Sequence, residues 1–137
     1  EHHSGVQLHG FLSYLVKVAK AGETYHIFGY KGKQVRDQIH SEDVIAAFLA
    51  FAENPRPGEV YNLGGGRSNS ASILECIQKL EHLLDRSVSH NYVEDHRKGD
   101  HICYISDLTK FRSHFPKWQL EWSLDRILGR MMAQVAP

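Results

Sequence analysis

A short run of mixed polar and apolar residues that ends beside a strong helix start constrains the fold of this chain most. The run covers 34–39 and contains Val35, Arg36 and Asp37, and Ser41 follows it closely. Ser41 predicts a helix N-cap, because a serine hydroxyl accepts a free backbone N–H. An arginine at the end of a strand, directly before a helix, is placed where its guanidinium can bind a phosphate with two hydrogen bonds. This stretch predicts a strand–helix junction with Arg36 as an anion-binding residue.

Helices interleaved with single short strands make up the rest of the predicted order. Periodicity predicts helices over Leu8 to Ala19, Ser41 to Ala52, Asn69 or Ser70 to Leu84, Leu108 to Phe115, and Leu124 to Met132. Strands are predicted over Tyr25 to Phe28, Gln34 to Ile39, Glu59 to Leu63, Val88 to Val93, and His101 to Ile105. The order predicts the α/β class. The helix after Ser41 is apolar nearly all round, so we expect it to be buried on more than one side.

Composition predicts an ordinary globular chain and excludes several classes of function. The 137 residues are 42% hydrophobic and 23% charged, and they favour a single domain spanning 1–137. A formal net charge of zero gives no electrostatic basis for nonspecific binding to nucleic acid or an anionic membrane. No apolar run approaches a membrane span, and no signal peptide is evident at the N-terminus. Cys76 and Cys103 are too few for a disulfide scaffold, so we expect a cytoplasmic location.

The glycine run Gly64-Gly65-Gly66 has two interpretations. It stands between a predicted strand and a predicted helix, where backbone N–H groups can hold a phosphate. However, the dinucleotide fingerprint requires a third glycine where Asn69 stands. A tight strand-to-helix turn is the favoured interpretation, and it leaves open that the following helix faces a ligand.

The sequence predicts neither a metal site nor a catalytic residue. Histidines and acids cluster around His90, Asp95-His96 and Asp100-His101, but none has the spacing of a zinc site. The common hydrolase and metalloprotease motifs are missing. No tyrosine has a lysine four residues further along the chain.

A charged loop supplies a second candidate for anion binding. In Arg97-Lys98-Gly99-Asp100, the arginine can bind a diphosphate and Asp100 can accept hydrogen bonds from ribose hydroxyls. The alternative is an ordinary solvated loop. Two arginines converging on one anion are a recurrent arrangement, so Arg36 and Arg97 together favour the binding interpretation. The strand Tyr25 to Phe28 offers either an aromatic surface for a base or aromatic core packing.

Several stretches together resemble a known family. They are Ser4 to Phe11, Gly32 to Asp43, Val60 to Gly66 with Asn69-Ser70, Arg97-x-x-Asp100, and Ile105-Ser106-Asp107-Leu108-x-Lys110. In this order they resemble the C-terminal, substrate-binding part of extended short-chain dehydrogenase/reductases. That family comprises the NAD-dependent nucleotide-sugar epimerases and dehydratases, and the likeness is greatest to 2-epimerases of CDP-sugars.

The resemblance implies a binding role for five residues. Arg36 and Arg97 would contact the nucleotide diphosphate, Asp100 the ribose, and His26 and Phe28 the base. The stretch from Val6 to His9 would also line the nucleotide pocket.

The resemblance also implies what this chain does not do alone. The family binds NAD through a glycine-rich N-terminal half and performs acid–base chemistry with a Tyr-x-x-x-Lys pair, and neither motif occurs here. The expected function is therefore CDP-sugar-like nucleotide-sugar binding, with no catalytic residue and no cofactor held by this chain.

Loss of the cofactor half predicts a partner. In the family, the helix matching Val44 to Ala52 and the strand matching Val60 to Leu63 pack on the cofactor domain. Without it, Phe48, Leu49 and Phe51 would be exposed, so we expect a homodimer. A stand-alone interaction module and a two-chain enzyme with a separate Rossmann-domain partner are the alternatives.

Overall fold

The computed structural model describes residues 10–95 and 100–134. Its helices are α1 (Phe11–Ala21), α2 (Ser41–Glu53), α3 (Ile73–Leu84), α4 (Thr109–His114) and α5 (Leu124–Gln134). Its strands are β1 (Tyr25–Phe28), β2 (Val35–Asp37), β3 (Ser70–Ser72), β4 (His90–Val93) and β5 (Cys103–Tyr104). The α/β class is therefore confirmed. None of the helices described is long and apolar enough to cross a bilayer.

The described chain divides into two compact units. The second unit comprises Arg36–Ser70 and Tyr104–Leu124, and the other described residues form the first unit. Two compact units can belong to one domain, so the single domain over 1–137 stays a prediction.

A parallel strand pair and two helices organise the first unit. In that pair, Tyr25 of β1 lies opposite His90 of β4, and Phe28 lies opposite Val93. The core contains fully buried side chains from α1 and α3, among them Leu15 and Leu80. Helix α1 ends where Gly22 adopts a left-handed conformation with φ of 74°, which favours glycine.

The helix predicted to start at Asn69 or Ser70 begins later, at Ile73. Ser72 is its N-cap, and the Ser72 hydroxyl accepts a hydrogen bond from the backbone N–H of Glu75. The Glu75 carboxylate accepts a hydrogen bond from the Ser72 N–H in return, at 2.7 Å. This capping box fixes the helix start, because it satisfies two backbone donors at once.

Three predicted strands are longer than the observed β2, β4 and β5, whereas β1 has the predicted bounds. A three-stranded sheet has the order β3-β2-β5, and β2 retains only the middle of the predicted run from Gln34 to Ile39. The strand predicted over Glu59 to Leu63 was wrong, since the structure assigns no strand there. A strand requires a hydrogen-bonded neighbour, and the described residues form no ladder with this segment.

An aromatic cluster forms the core of the second unit. It consists of buried residues from α2, α4 and the segments on both sides of α4, namely Ala47, Leu108, Phe111, Phe115 and Trp118. Tyr61 packs edge-on against Phe111, with 5.3 Å between ring centroids. The segment around Tyr61 therefore packs against this core without forming a strand.

Helix α2 is less buried than its apolar sequence predicts. Only Asp43 and Ala47 are buried on it, so the expected burial on more than one side was wrong. The exposed fractions of Phe48 and Leu49 are 65% and 59%, which confirms that these two side chains are uncovered. Phe51 differs, because it is partly buried against the aromatic cluster.

The N-cap of α2 is His40, not Ser41. The Nδ1 atom of His40 accepts a hydrogen bond from the backbone N–H of Glu42 at 3.2 Å. The His40 ring stacks on Trp122, with 3.9 Å between ring centroids. Stacking on Trp122 therefore holds His40 in the N-cap position. Because Trp122 is far from His40 in the sequence, the local sequence does not reveal this contact.

Candidate functional site

Strand β2 directs Arg36 and Asp37 to opposite faces, because consecutive side chains on a strand alternate. The Oδ2 atom of Asp37 accepts hydrogen bonds from the backbone N–H of Gly66 at 2.9 Å and of Ser106 at 3.0 Å. A carboxylate that accepts two backbone donors forms stronger hydrogen bonds than a neutral acceptor. Asp37 therefore joins two loops of the second unit and has a structural role.

The glycine turn is packed against protein atoms. A Cβ atom at Gly64 would meet the Ser106 hydroxyl and the Asp37 carboxylate, and one at Gly65 would overlap the carbonyl oxygen of Gln38. The N–H of Gly66 is already bonded to Asp37. The glycines therefore form a tight turn, but the predicted connection from a strand to a helix was wrong, because no strand precedes the turn and a 3₁₀ turn and β3 follow it.

The two arginines that were predicted to bind a diphosphate are only partly within the described residues. Arg36 is half-buried in the middle of β2. Arg97 lies outside the described residues. Asp100 is half-buried, and its Oδ1 atom accepts a hydrogen bond from the N–H of His101 at 3.1 Å. Convergence of Arg36 and Arg97 on one anion, and the ribose contact of Asp100, stay predictions.

The two candidates for base contact share one face of β1. Tyr25 and Ile27 are buried in the first unit, whereas His26 and Phe28 are half-buried. Strand alternation places His26 and Phe28 on the face opposite to Tyr25 and Ile27. This arrangement favours an accessible surface over core packing for these two side chains, although their contact with a base stays a prediction. Residues 6–9 lie outside the described part.

Metal ligands do not cluster in the part of the chain that the structure describes. Within residues 10–95 and 100–134, no group of three or more His, Cys, Asp or Glu side chains is placed to hold a metal ion. His96 lies outside these ranges.

Asp43 has a role that the sequence did not indicate. It is 1% exposed, and its two carboxylate oxygens accept hydrogen bonds from the N–H groups of Glu121 at 3.0 Å and Trp122 at 3.2 Å. Its backbone carbonyl accepts a hydrogen bond from Trp118 Nε1 at 3.0 Å. An acid at the start of a helix is adequately explained by the helix dipole, so no local signal distinguishes this anchor.

Comparison with known proteins identifies the relatives of this fold. The profile of the NAD dependent epimerase/dehydratase family matches residues 1–64. A low-salt glycan biosynthesis protein of Haloferax volcanii is 34% identical over 111 residues, which cover 80% of this chain and 34% of that protein. CDP-paratose 2-epimerase of Salmonella typhi is 30% identical over 94 residues, which cover 67% of this chain and 26% of the enzyme.

A solved structure shares most of the fold. It is a variant of UDP-glucuronic acid 4-epimerase from Bacillus cereus, in complex with UDP-4-deoxy-4-fluoro-glucuronic acid and NAD. The match has a TM-score of 0.81 at 27% identity, and it covers 91% of this chain and 39% of that one.

The fold is that of the extended short-chain dehydrogenase/reductases that act as epimerases and dehydratases. Within that class, the chain belongs to the NAD dependent epimerase/dehydratase family. It spans about a third of the length of the first curated relatives that it matches.

Proposed function

We propose that this chain is the nucleotide-sugar-binding part of a sugar-nucleotide epimerase and that it binds a CDP-sugar-like ligand. The observation that carries the proposal is the match to the Bacillus cereus enzyme, which was solved with a UDP-sugar and NAD. CDP-paratose 2-epimerase is among the relatives, and cytidine is the base that we propose on this likeness. Redox chemistry is absent from this proposal, because the chain lacks the Tyr-x-x-x-Lys pair and the glycine-rich NAD fingerprint.

The proposed site divides the ligand among three kinds of contact. Arg36 and Arg97 bind the diphosphate, because a guanidinium matches phosphate oxygens with paired hydrogen bonds. Asp100 accepts from the ribose hydroxyls, and the shared face of His26 and Phe28 lies against the base. We propose that another part of the enzyme binds NAD. We also propose a cytoplasmic location.

Calorimetry of the chain with CDP and UDP tests this site. Arg36→Ala is expected to weaken CDP binding by about 10-fold or more, since a hydrogen bond to a charged group contributes roughly 1.5–3 kcal/mol. Arg97→Ala is expected to act similarly. Arg36→Lys keeps the charge but loses the paired geometry, so it should restore affinity only in part.

Lys17→Gln is the matched control, because Lys17 is exposed on α1 and lies outside the proposed site. Its affinity for CDP should equal that of the unchanged chain. No heat with CDP, UDP or their sugars at millimolar concentration would contradict nucleotide binding.

A second candidate function is self-association through α2. The apolar surface that carries it consists of Ile45, Phe48 and Leu49, which are 56%, 65% and 59% exposed. Burying a large apolar side chain contributes about 1.5–3 kcal/mol. Because the net charge is zero, electrostatic repulsion does not oppose the approach of a second copy. We therefore propose a homodimer with this surface at its interface.

Sedimentation velocity at micromolar concentration measures this association. The unchanged chain should sediment as a dimer, and Phe48→Ser should shift it toward the monomer. Leu83→Ser is the control, because Leu83 is also partly exposed, at 47%, but lies on α3. A monomeric mass for the unchanged chain contradicts the homodimer. A monomer that captures a separate Rossmann domain would instead support the two-chain enzyme.

A further inference from the structure

A cleft lies in the second unit, and it is formed by residues that are not assigned to nucleotide-sugar binding. Its volume is about 770 Å³, and it lies between the turn that starts at Gly66 and the segment from Ile105 to Arg112. A volume of this size is in the range of small-molecule sites, roughly 300–1,000 Å³. A smaller cleft of about 380 Å³ shares Ser68 and Arg112 with it.

The cleft carries two arginines, Arg67 and Arg112. Both side chains are exposed, and neither guanidinium has a hydrogen bond or ion pair with another residue of the described chain. The acid in the lining, Asp107, is engaged locally, since its Oδ1 atom accepts a hydrogen bond from Thr109 N–H at 2.9 Å. Hydrogen bonds from the Thr109 side chain and backbone hold the pKa of Asp107 below its ordinary value of 3.8. The cleft therefore has a net positive lining.

The backbone that carries the two arginines is held by buried contacts. Arg67 begins a short 3₁₀ turn that ends at Asn69. Asn69 is 3% exposed, and its amide donates to Trp122 O at 2.7 Å and accepts from Leu124 N at 3.0 Å. On the other wall, α4 is anchored by Phe111, which is 4% exposed in the aromatic cluster.

The two walls are also tied to each other. One oxygen of Asp37 accepts hydrogen bonds from Gly66 N–H and Ser106 N–H, which belong to opposite walls of the cleft. A preorganised pair of walls reduces the entropy that ligand binding would otherwise cost. Arg67 and Arg112 are thus attached to a scaffold that is formed before a ligand arrives.

We infer that this cleft binds a soluble phosphomonoester whose phosphate lies between Arg67 and Arg112. Guanidinium groups pair with phosphate oxygens through parallel hydrogen bonds, and the hydroxyl of Ser68 adds a neutral donor. Ile105 is 39% exposed in the lining and supplies an apolar surface for the organic part of the ligand. Arg36 does not line the cleft.

The probes are phenyl phosphate and inorganic phosphate, each titrated into the full chain by calorimetry. We expect saturable binding of both, with phenyl phosphate tighter because its ring contacts apolar lining. Arg67→Gln and Arg112→Gln should each weaken phenyl phosphate binding by about 10-fold or more. Lys17→Gln is the control, because it makes the same change in net charge at an exposed position on α1, outside the cleft.

Arg36→Ala separates this cleft from the proposed nucleotide-sugar site. It should leave phenyl phosphate affinity unchanged, whereas Arg67→Gln and Arg112→Gln should leave CDP affinity unchanged. Loss of phenyl phosphate binding in Arg36→Ala would overturn the assignment. So would an affinity for phenyl phosphate in Arg67→Gln and Arg112→Gln that equals the affinity of Lys17→Gln. Absence of binding at millimolar probe also overturns it. Both cleft substitutions are at exposed positions, and circular dichroism verifies that the variants remain folded.

Discussion

Substitution of Asp43 is expected to destabilise the second unit more than substitution of any exposed residue on the same helix. The side chain is 1% exposed and accepts hydrogen bonds from the N–H groups of Glu121 and Trp122. Asp43→Ala removes both hydrogen bonds and leaves the buried N–H of Trp122 and the partly buried N–H of Glu121 without this acceptor. The segment that these donors hold also carries Trp118 and Trp122, which pack against α2.

The size of the effect follows from the number of bonds. A hydrogen bond to a charged group contributes roughly 1.5–3 kcal/mol, so two of them give about 3–6 kcal/mol for Asp43→Ala. Total stabilities of domains are about 5–15 kcal/mol, so this loss is a large fraction. Asp43→Asn keeps one acceptor oxygen and places an NH₂ group against a backbone donor. It should therefore cost at least about 1.5 kcal/mol and still leave a folded chain to measure.

Urea unfolding monitored by tryptophan fluorescence is the assay. The chain has two tryptophans, Trp118 and Trp122, and both belong to the second unit. Fluorescence thus reports on the unit that contains Asp43 even if the two units unfold separately. Glu53→Ala is the control, because this acid is exposed at the end of α2, and its effect should be below about 0.5 kcal/mol. A loss under about 1 kcal/mol for Asp43→Ala would refute the anchoring role.

Two further predictions concern the first unit. Ser72→Ala should destabilise α3 by about 1 kcal/mol in thermal unfolding. The backbone and side-chain hydrogen bonds of Ser72 hold the pKa of Glu75 below 4.5 in the folded chain. These bonds therefore stabilise the folded state above pH 4.5, and this stabilisation is lost as the pH falls through the folded-state pKa of Glu75. The stability difference between the two chains should thus shrink below pH 4.5, and a constant difference would contradict it. Burial raises the pKa of the Cys76 thiol to about 12, whereas Cys103 is exposed, so a thiol reagent at pH 8 should label one cysteine in the folded chain and two in urea.

Helices were predicted better than strands, for a physical reason. The periodicity of α1, α3 and α5 is carried by their own residues, and each lies within a few residues of its predicted range. A strand exists only with its hydrogen-bonded neighbour, which a single run of sequence does not specify. The extended run from Glu59 to Leu63 has strand composition but no ladder in the described structure.

Of the candidate site, the sequence predicted the local position of Arg36, while its contact with a phosphate stays a prediction. Arg36 follows from its position in a short strand before a helix. Long-range contacts were not predictable: Asp37 accepts from Ser106, 69 residues later, and His40 replaces Ser41 as the cap because it stacks on Trp122. A contact between residues so distant in sequence leaves no periodic signal.

The exposed surface of α2 shows most directly what an apolar pattern does and does not specify. The pattern predicts that the free energy falls when side chains such as Phe48 and Leu49 leave water. It does not specify whether the covering atoms come from the same chain, since only Ala47 and Asp43 of this helix are buried in the second unit. This chain covers 39% of the aligned Bacillus cereus enzyme. We propose that a second copy of the chain covers Phe48, and a shift of the Phe48→Ser variant toward the monomer in sedimentation velocity would support this proposal.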